Sequence, residues 1–214
     1  MKKAIFIFAT LFLCFYGFSE EVIEFFADKM SGVTAEGADY TKLMGNARIK
    51  TSSMEISADV IELSGQDFRY IKAQGNVEGV HNQEAMEFTC QQMDYDRIEK
   101  IARFTEKVHL VDTNNDVTAD AERIEYREEE GLALMRINVK LLQKNNLCTC
   151  AFATYKKKQQ LLEMTGNPQI VRGEDIFRAQ EITFNMETEA ITLDGRVSGQ
   201  VTENSSKKDG EGEP

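Results

Sequence analysis

The sequence predicts an all-β protein built from repeated pairs of antiparallel strands, each strand bent near its middle. Three observations predict this fold class. Two short sequence frames alternate along the chain, apolar and polar residues alternate with a period of two within the frames, and short polar segments separate the frames. A period of two is typical of a strand with one buried face. Short polar connections are typical of hairpins, so neighbouring strands should run antiparallel.

The first frame has a small residue, an apolar residue three positions later and a large apolar residue two positions after that. In the copy at residues 56–63, Ala58 is followed in this way by Ile61 and Leu63. An offset of three where a strand needs two predicts a bulge or corner at the same point of each full copy. The small residues recur about every thirty positions, as a repeat architecture requires. They are Ala27, Ala58, Cys90, Ala121, Cys150 and Ala179.

The second frame lies between copies of the first and centres on Gly-Asn or a substitute for it. Around one copy, Met164 and Ile170 share a face with the glycine, while Glu163 and Thr165 lie on the other. Glycine within a strand suits a sharp bend. We therefore predict bent strands stacked so that two sheets face each other with their apolar faces inward. The copies are Gly45-Asn46-Ala47, Gly75-Asn76-Val77, Glu106-Lys107-Val108, Ile137-Asn138-Val139, Gly166-Asn167-Pro168 and Gly195-Arg196-Val197.

Polar segments of hairpin length separate the frames and predict the connections between strands. They lie at residues 51–53, 64–67, 81–84, 96–99, 112–116, 127–131, 144–146, 156–159, 172–175 and 185–189.

The two ends of the chain differ from the repeats. Lys2 and Lys3 precede an apolar run, and Gly17 and Ser19 place small residues before a cut at Glu20, which is the layout of a secretory signal peptide. The run is shorter than the roughly 20 residues of a membrane-spanning helix, although an uncleaved anchor remains the alternative. We predict a signal peptide at 1–19, a β-domain at 20–201, a disordered polar tail at 202–214, and a periplasmic mature protein.

Charge and composition exclude several functions. The net charge of −11 argues against nucleic acid as a partner, because phosphate backbones attract a surplus of Lys and Arg. The two histidines, His81 and His109, are expected to be exposed at strand ends. Asp112, Asn114 and Asp116 predict a hairpin turn, because the downstream glutamate and central glycine of a calcium loop are missing. We predict no enzymatic activity, no metal and no cofactor.

Cys90 and Cys150 occupy the small-residue position of the first frame and should be buried as small core residues. With two strands in each repeat they lie four strands apart, roughly 19 Å at ~4.8 Å per strand. A disulfide needs Cα atoms within about 7 Å, so we predict no structural disulfide.

The inward-facing residues form either a closed core or a cleft that parts along one side. Several are methionine or phenylalanine, which pack adaptably. The predicted lining residues are Ile56, Phe88, Met93, Phe104, Leu110, Ile124, Met135, Val139, Leu141, Met164, Ile170, Phe177, Ile182 and Leu193. Such an array also leaves two open edges, to which partners could add strands. The predicted edge residues are Phe25, Ala27 and Met30 near the N-terminus, and Val197 and Val201 near the C-terminus.

Six segments give the chain a resemblance to a known family over residues 22–201. They are Phe25-x-Ala27-Asp28-x-Met30, Gly45-Asn46-Ala47-x-Ile49, Ile56-x-Ala58-Asp59-x-Ile61, Met164-Thr165-Gly166-Asn167-Pro168, Phe177-Arg178-Ala179-Gln180-x-Ile182-Thr183-Phe184 and Leu193-Asp194-Gly195-Arg196-Val197. In these segments the chain resembles the OstA-like family, the periplasmic bridge proteins of lipopolysaccharide export.

The resemblance implies a repeat-built antiparallel β-jelly roll with a V-shaped cross-section. It further implies a non-catalytic conduit that carries lipopolysaccharide, or a related acylated glycolipid, from the inner to the outer membrane with the acyl chains in an apolar groove. Its partners would be the inner- and outer-membrane lipid-transport proteins and further copies of itself, joined edge to edge. Two alternatives remain: a membrane-anchored relative that hands lipid to the bridge, and a structural periplasmic repeat protein with a closed core.

Overall fold

The computed structural model describes residues 22–35 and 38–202. The predicted signal peptide at 1–19, and residues 203–214 of the predicted tail, lie outside these residues. The described residues form sixteen strands and two short 3₁₀ segments, Gln66–Phe68 and Lys157–Gln159. The strands are β1 (Glu24–Phe26), β2 (Lys29–Ala35), β3 (Ala38–Lys50), β4 (Met54–Ser64), β5 (Tyr70–His81), β6 (Met86–Asp96), β7 (Ile101–Asp112), β8 (Val117–Arg127), β9 (Leu132–Gln143), β10 (Asn146–Lys156), β11 (Leu161–Thr165), β12 (Gln169–Arg172), β13 (Asp175–Arg178), β14 (Glu181–Asn185), β15 (Ile191–Asp194) and β16 (Ser198–Gln200).

These strands pair antiparallel into one sheet that is folded along its middle, which confirms the predicted all-β fold of bent strands. Long strands β3 to β10 run through the fold and contribute to both sides of it. Half-sheet I begins with β1 and ends with β12, β13 and β16, while half-sheet II begins with β2 and ends with β11, β14 and β15. Their inner faces share one buried apolar cluster, giving the V-shaped cross-section.

The strands bend at the predicted frames, and the register of each long strand pair shifts there. Gly45 and Asn46 take positive φ values of 73° and 46°, a left-handed conformation that glycine and asparagine tolerate. Ile137 and Asn138 take 67° and 55° in the same place. The central repeats therefore keep the corner although they lack the glycine.

The two frames meet side by side at each corner. The side-chain amide of Asn76 donates to Asp59 Oδ2 over 3.0 Å, and Asn46 donates to Asp28 Oδ2 over 2.9 Å. In both cases the Gly-Asn pair faces an Ala-Asp pair from the copy of the first frame that precedes it in the chain. This contact explains why the frames alternate in phase along the chain.

The predicted connections are confirmed as turns between consecutive strands. In one of them Asp112 Oδ1 accepts hydrogen bonds from the backbone N–H groups of Asn114 and Asn115, at 3.2 and 3.3 Å. This is the local pattern by which aspartate stabilises a turn, so the prediction of a hairpin here is confirmed.

Cys90 lies in β6 and Cys150 in β10, four places apart in the strand order, as predicted. Cys90 and Cys148 are buried, and Cys150 is partly buried with its side chain against the core. All three are free thiols in this structure. Burial raises the pKa of Cys90 and of Cys148 to about 12, so both are protonated at neutral pH.

Candidate functional site

The predicted lining residues face the space between the two half-sheets. All are buried in the shared cluster except Phe177 and Leu193, which are partly buried and pack against it. None of the buried ones is more than 4% exposed. These residues therefore form part of the interior surface of the fold, and in this structure protein side chains fill that interior.

Apart from Val139, which pairs with Cys150, these residues lie in two continuous rows that cross the strands from one sheet edge to the other. The row of half-sheet II contains Met30, Leu43, Ile61, Ala73, Met93, Phe104, Ile124, Met135, Ala153, Met164, Ile182 and Leu193, each directly opposite the next. With ~4.8 Å between strands, a row across the twelve strands of this path spans roughly 50 Å. The register thus joins the apolar faces into one track.

The row of half-sheet I runs in the same way and includes two glycines. It contains Phe25, Ile49, Ile56, Gly79, Phe88, Leu110, Ala119, Leu141, Cys148, Ile170, Phe177 and Gly199. The ring of Phe88 occupies the space where Gly79 lacks a side chain. It also packs against Phe104 of half-sheet II with ring centroids 4.7 Å apart, so the two rows touch in the middle of the fold.

Both rows reach solvent at the N-terminal edge. Phe25 is 46% exposed and Met30 is 56% exposed, and β1 and β2 each pair with β3 alone among the described strands. At the other edge Val197 and Val201 are exposed beside β15 and β16. Ala27 is exposed as well. The predicted edge residues therefore lie at sheet edges.

The free ends of the two half-sheets meet on the side opposite the corners, which we call the mouth. Tyr126 of half-sheet II donates to Glu84 Oε2 of a half-sheet I turn over 2.7 Å. Tyr155, also of half-sheet II, donates to Oδ2 of Asp112 in half-sheet I over 3.3 Å. Burial raises the pKa of both phenols, and the neighbouring carboxylates raise it further. Both tyrosines are therefore hydrogen-bond donors across the mouth.

Lys157 joins these two pairs. Its Nζ donates to the backbone oxygen of Glu84 and lies 3.5 Å from Glu84 Oε2 and 3.5 Å from Asp112 Oδ2. Towards the C-terminal edge, Gln143 donates to the backbone oxygen of Met186 across the mouth. Polar contacts thus tie the two rims together along this stretch.

The expectation that both histidines are exposed is wrong for His81, which is 7% exposed. Its Nδ1 accepts a hydrogen bond from the Glu84 N–H at 3.2 Å, and its Nε2 lies 3.5 Å from Glu128 Oε1. The end of β5 is covered by the opposite rim, which periodicity within β5 does not reveal. His109 is half-exposed and bonded to Asp120 on the neighbouring strand, over 2.7 Å.

Sequence reasoning missed the mouth residues because each lies in, or next to, a turn. One signal was present: the first frame ends in tyrosine in three successive copies, Tyr95, Tyr126 and Tyr155. Buried tyrosines usually find a polar partner for the hydroxyl. A tyrosine repeated at the end of an inward-facing row therefore indicates a polar boundary to the apolar interior.

Nearer the N-terminal edge the rims part around a cavity of about 220 Å³. Met54 and Ile56 line it from half-sheet I, and Ile71, Tyr95 and Glu128 from half-sheet II. No group of three metal-ligating side chains occurs within residues 22–35 and 38–202. Fold and site together define a class: a bent-strand β-roll, open at both sheet edges, whose interior is a continuous apolar surface.

Residues 41–190 match the family described as "LptA/(LptD N-terminal domain) LPS transport protein". The match covers well over half of the chain, and the chain belongs to this family of non-enzymatic lipid-transport bridge proteins. The resemblance seen in the sequence is thereby confirmed. No helix of the described residues has the length and apolar character needed to cross a membrane.

Among solved structures, one match is described as "Crystal structure of LptH, the LptA homologous periplasmic component of the conserved lipopolysaccharide transport device from Pseudomonas aeruginosa". It is 10% identical, covers 86% of this chain and 97% of that chain, and has a TM-score of 0.28. No curated protein matches this sequence.

Proposed function

We propose that the protein is a non-catalytic periplasmic conduit that carries lipopolysaccharide, or a related acylated glycolipid, from the inner to the outer membrane. Acyl chains would lie between the half-sheets, and the polar head would remain in water. The observation that carries this proposal is the pair of apolar rows that cross the strands without a polar interruption and end at both sheet edges.

Energetics favours a continuous track over a solitary carrier. Burying one CH₂ group contributes about 0.8 kcal/mol, so a 12-carbon acyl chain gains on the order of 10 kcal/mol inside. A chain held so strongly leaves the apolar interior for water only slowly. It moves readily when each step exchanges one apolar surface for the next, as it would along rows that continue into a partner.

The edges supply the means of continuing the rows. β2 and β15 each have one neighbour among the described strands, and an incoming strand could pair with the free side of each. The inner- and outer-membrane lipid-transport proteins, or a second copy of this chain, would then extend both rows. Export by the signal peptide at 1–19, with cleavage after Ser19, would deliver the domain to the periplasm.

One observation favours a second candidate function, a structural periplasmic protein with a closed core. Met135 and Phe104 are both at most 2% exposed, and side chains fill the interior they share. A conduit requires these side chains to move aside for lipid. Methionine, with three rotatable bonds, moves aside more readily than branched residues, and Met93, Met135 and Met164 all lie in one row.

Site-specific photo-crosslinking separates the two functions. A photoreactive residue in place of Met135 points into the interior, whereas one in place of Leu134 points to the outer face of the same strand. In cells, the conduit predicts glycolipid adducts at position 135 and few at position 134. Equal yields at the two positions, or none at either, would favour the closed core.

Charged edge variants test strand addition. Met30→Lys and Val33→Lys place a charge on an exposed edge strand, where lysine blocks pairing at little cost to folding. We expect both to abolish self-association in analytical ultracentrifugation. Val80→Lys, on an exposed position of the central strand β5, is the matched control and should leave self-association unchanged.

A further inference from the structure

Lys157 lies at the centre of the polar contacts that close the mouth. Its Nζ reaches two turns of the opposite rim at once, through Glu84 and Asp112. We propose that Lys157, with Tyr126 and Tyr155, forms a latch that holds the mouth shut when no lipid is bound and opens to let the head of a bound lipid reach water. This inference rests on the proposed function, because a latch needs a cargo to release it.

Burial shields the charges of the latch from water. The Lys157 side chain is 13% exposed and that of Asp112 is 1% exposed, so little water screens their attraction. The contact therefore holds the rims together in the resting protein, and a polar group that competes for Lys157 releases them.

The turns stay folded when the latch opens, because Asp112 has other donors. Besides Lys157 and Tyr155, its carboxylate accepts hydrogen bonds from the N–H groups of Asn114 and Asn115 and from the Asn115 side chain. All of these lie within its own turn. Removing Lys157 thus leaves a buried carboxylate that is still satisfied, which is what a reversible closure requires.

On the corner side the long strands β3 to β10 run from one half-sheet into the other, whereas at the mouth no strand of the described residues joins the two half-sheets. A sugar head is too polar to be buried without partners, so a lipid whose acyl chains lie inside must pass its head through the mouth or around an edge. The cavity at Met54 and Tyr95 shows the rims already parted beside the latch. Glu128 lines that cavity and also faces His81 of the closed part, so the open and closed stretches adjoin.

A covalent closure of the mouth tests the latch. In the variant Glu84→Cys/Lys157→Cys, a short bis-methanethiosulfonate linker forms one reducible disulfide with each cysteine, with release of methanesulfinate, and ties the two rims together. Glu129→Cys/Lys158→Cys is the matched control, because Lys158 donates to the Glu129 backbone oxygen at 2.6 Å within the same rim. The probe is purified lipopolysaccharide, and bound lipid is counted by native mass spectrometry. We expect the protein linked across the mouth to bind at least tenfold less lipid than its unlinked form, and reductant to restore the binding. The linked control should bind as much lipid as its unlinked form.

Two other results would overturn the proposal. If the mouth-linked protein binds as much lipid as its reduced form, lipid passes around the edges and no latch operates. If neither the reduced variants nor the unmodified protein binds lipid, the proposed function itself fails, and the latch as a lipid gate fails with it.

Hydrogen exchange gives a readout that needs no lipid. Lys157→Met should raise amide exchange in the turns at 82–85 and 157–160, which lose their contact with each other, while exchange in the central strands and in the Asp112 turn at 113–116 stays unchanged. Lys158→Met, the neighbouring lysine, should change neither. Unchanged exchange in Lys157→Met would show that this lysine does not close the mouth, whatever the outcome with lipid.

Discussion

Gly166 and Ala151 are in direct contact at the corner between β10 and β11. The Ala151 N–H donates to the Gly166 carbonyl oxygen over 3.0 Å, and a Cβ at Gly166 would come within 2.6 Å of the Ala151 Cβ. Gly166 also has a φ of 75°. The glycine of the second frame is therefore required twice, by backbone conformation and by the approach of the neighbouring strand.

Gly166→Ala should lower the free energy of unfolding by about 2–4 kcal/mol, since left-handed strain of about 1–2 kcal/mol adds to the overpacking. Gly173→Ala is the control: Gly173 has a φ of 60°, but nothing lies within 4 Å of its missing Cβ. It should show only the strain. Urea unfolding measures both, and equal losses in the two variants would contradict the close contact.

Asp96 stabilises the protein in a pH-dependent way. Hydrogen bonds from the Arg69 guanidinium, at 2.7 to 3.0 Å, lower the pKa of Asp96 from 3.8 to about 2. Because the pKa is lower in the folded state, the contribution is fully present above about pH 4 and is lost as the pH falls towards 2. Arg69→Gln should raise the pKa of Asp96, measured by NMR titration, and weaken the loss of stability below pH 4. Arg48→Gln, which removes an exposed ion pair with Glu55, should leave that titration unchanged.

The thiols in the described residues should be unreactive in the native protein. Burial raises the pKa of Cys90 and Cys148 to about 12 and that of Cys150 to about 11, and the thiolate is the reactive form. We expect negligible alkylation of these three cysteines by iodoacetamide at pH 7.5, and complete alkylation in urea. A Cys90–Cys150 disulfide found by mass spectrometry of the unreduced native protein would contradict the repeat register.

Phe104 anchors the contact between the two apolar rows. It is 2% exposed, and replacing such a residue by alanine removes burial and leaves a cavity. Phe104→Ala should cost about 3–5 kcal/mol of unfolding free energy. Phe152→Ala, at a position that is 51% exposed, should change it by at most about 0.5 kcal/mol. A similar effect of both in chemical denaturation would argue against a shared core at Phe104.

Local signals were sufficient to predict the strands, their bends and their connections. The offset at Ala58 and the Gly45-Asn46 pair both report on backbone geometry within a few residues, and neighbouring hairpins then determine the antiparallel order. The two apolar rows are a consequence of that strand order, because consecutive hairpins bring Met93, Phe104 and Ile124 opposite one another.

The mouth could not be predicted in the same way. Lys157 and Glu84 are 73 residues apart, and the twist of the sheet determines which turns of the two rims meet. The burial of His81 depends on that same meeting of rims. Ile137 has a φ of 67°, although β-branched residues rarely adopt positive φ values. The neighbouring repeats hold it in the corner conformation.

Native mass spectrometry of the protein, purified from periplasm without detergent, tests the central claim most directly. The account predicts a population whose mass is increased by an acylated glycolipid, and that mass also identifies the class of cargo. A single unliganded mass, unchanged after incubation with outer-membrane lipid, would contradict the conduit and leave a closed structural repeat.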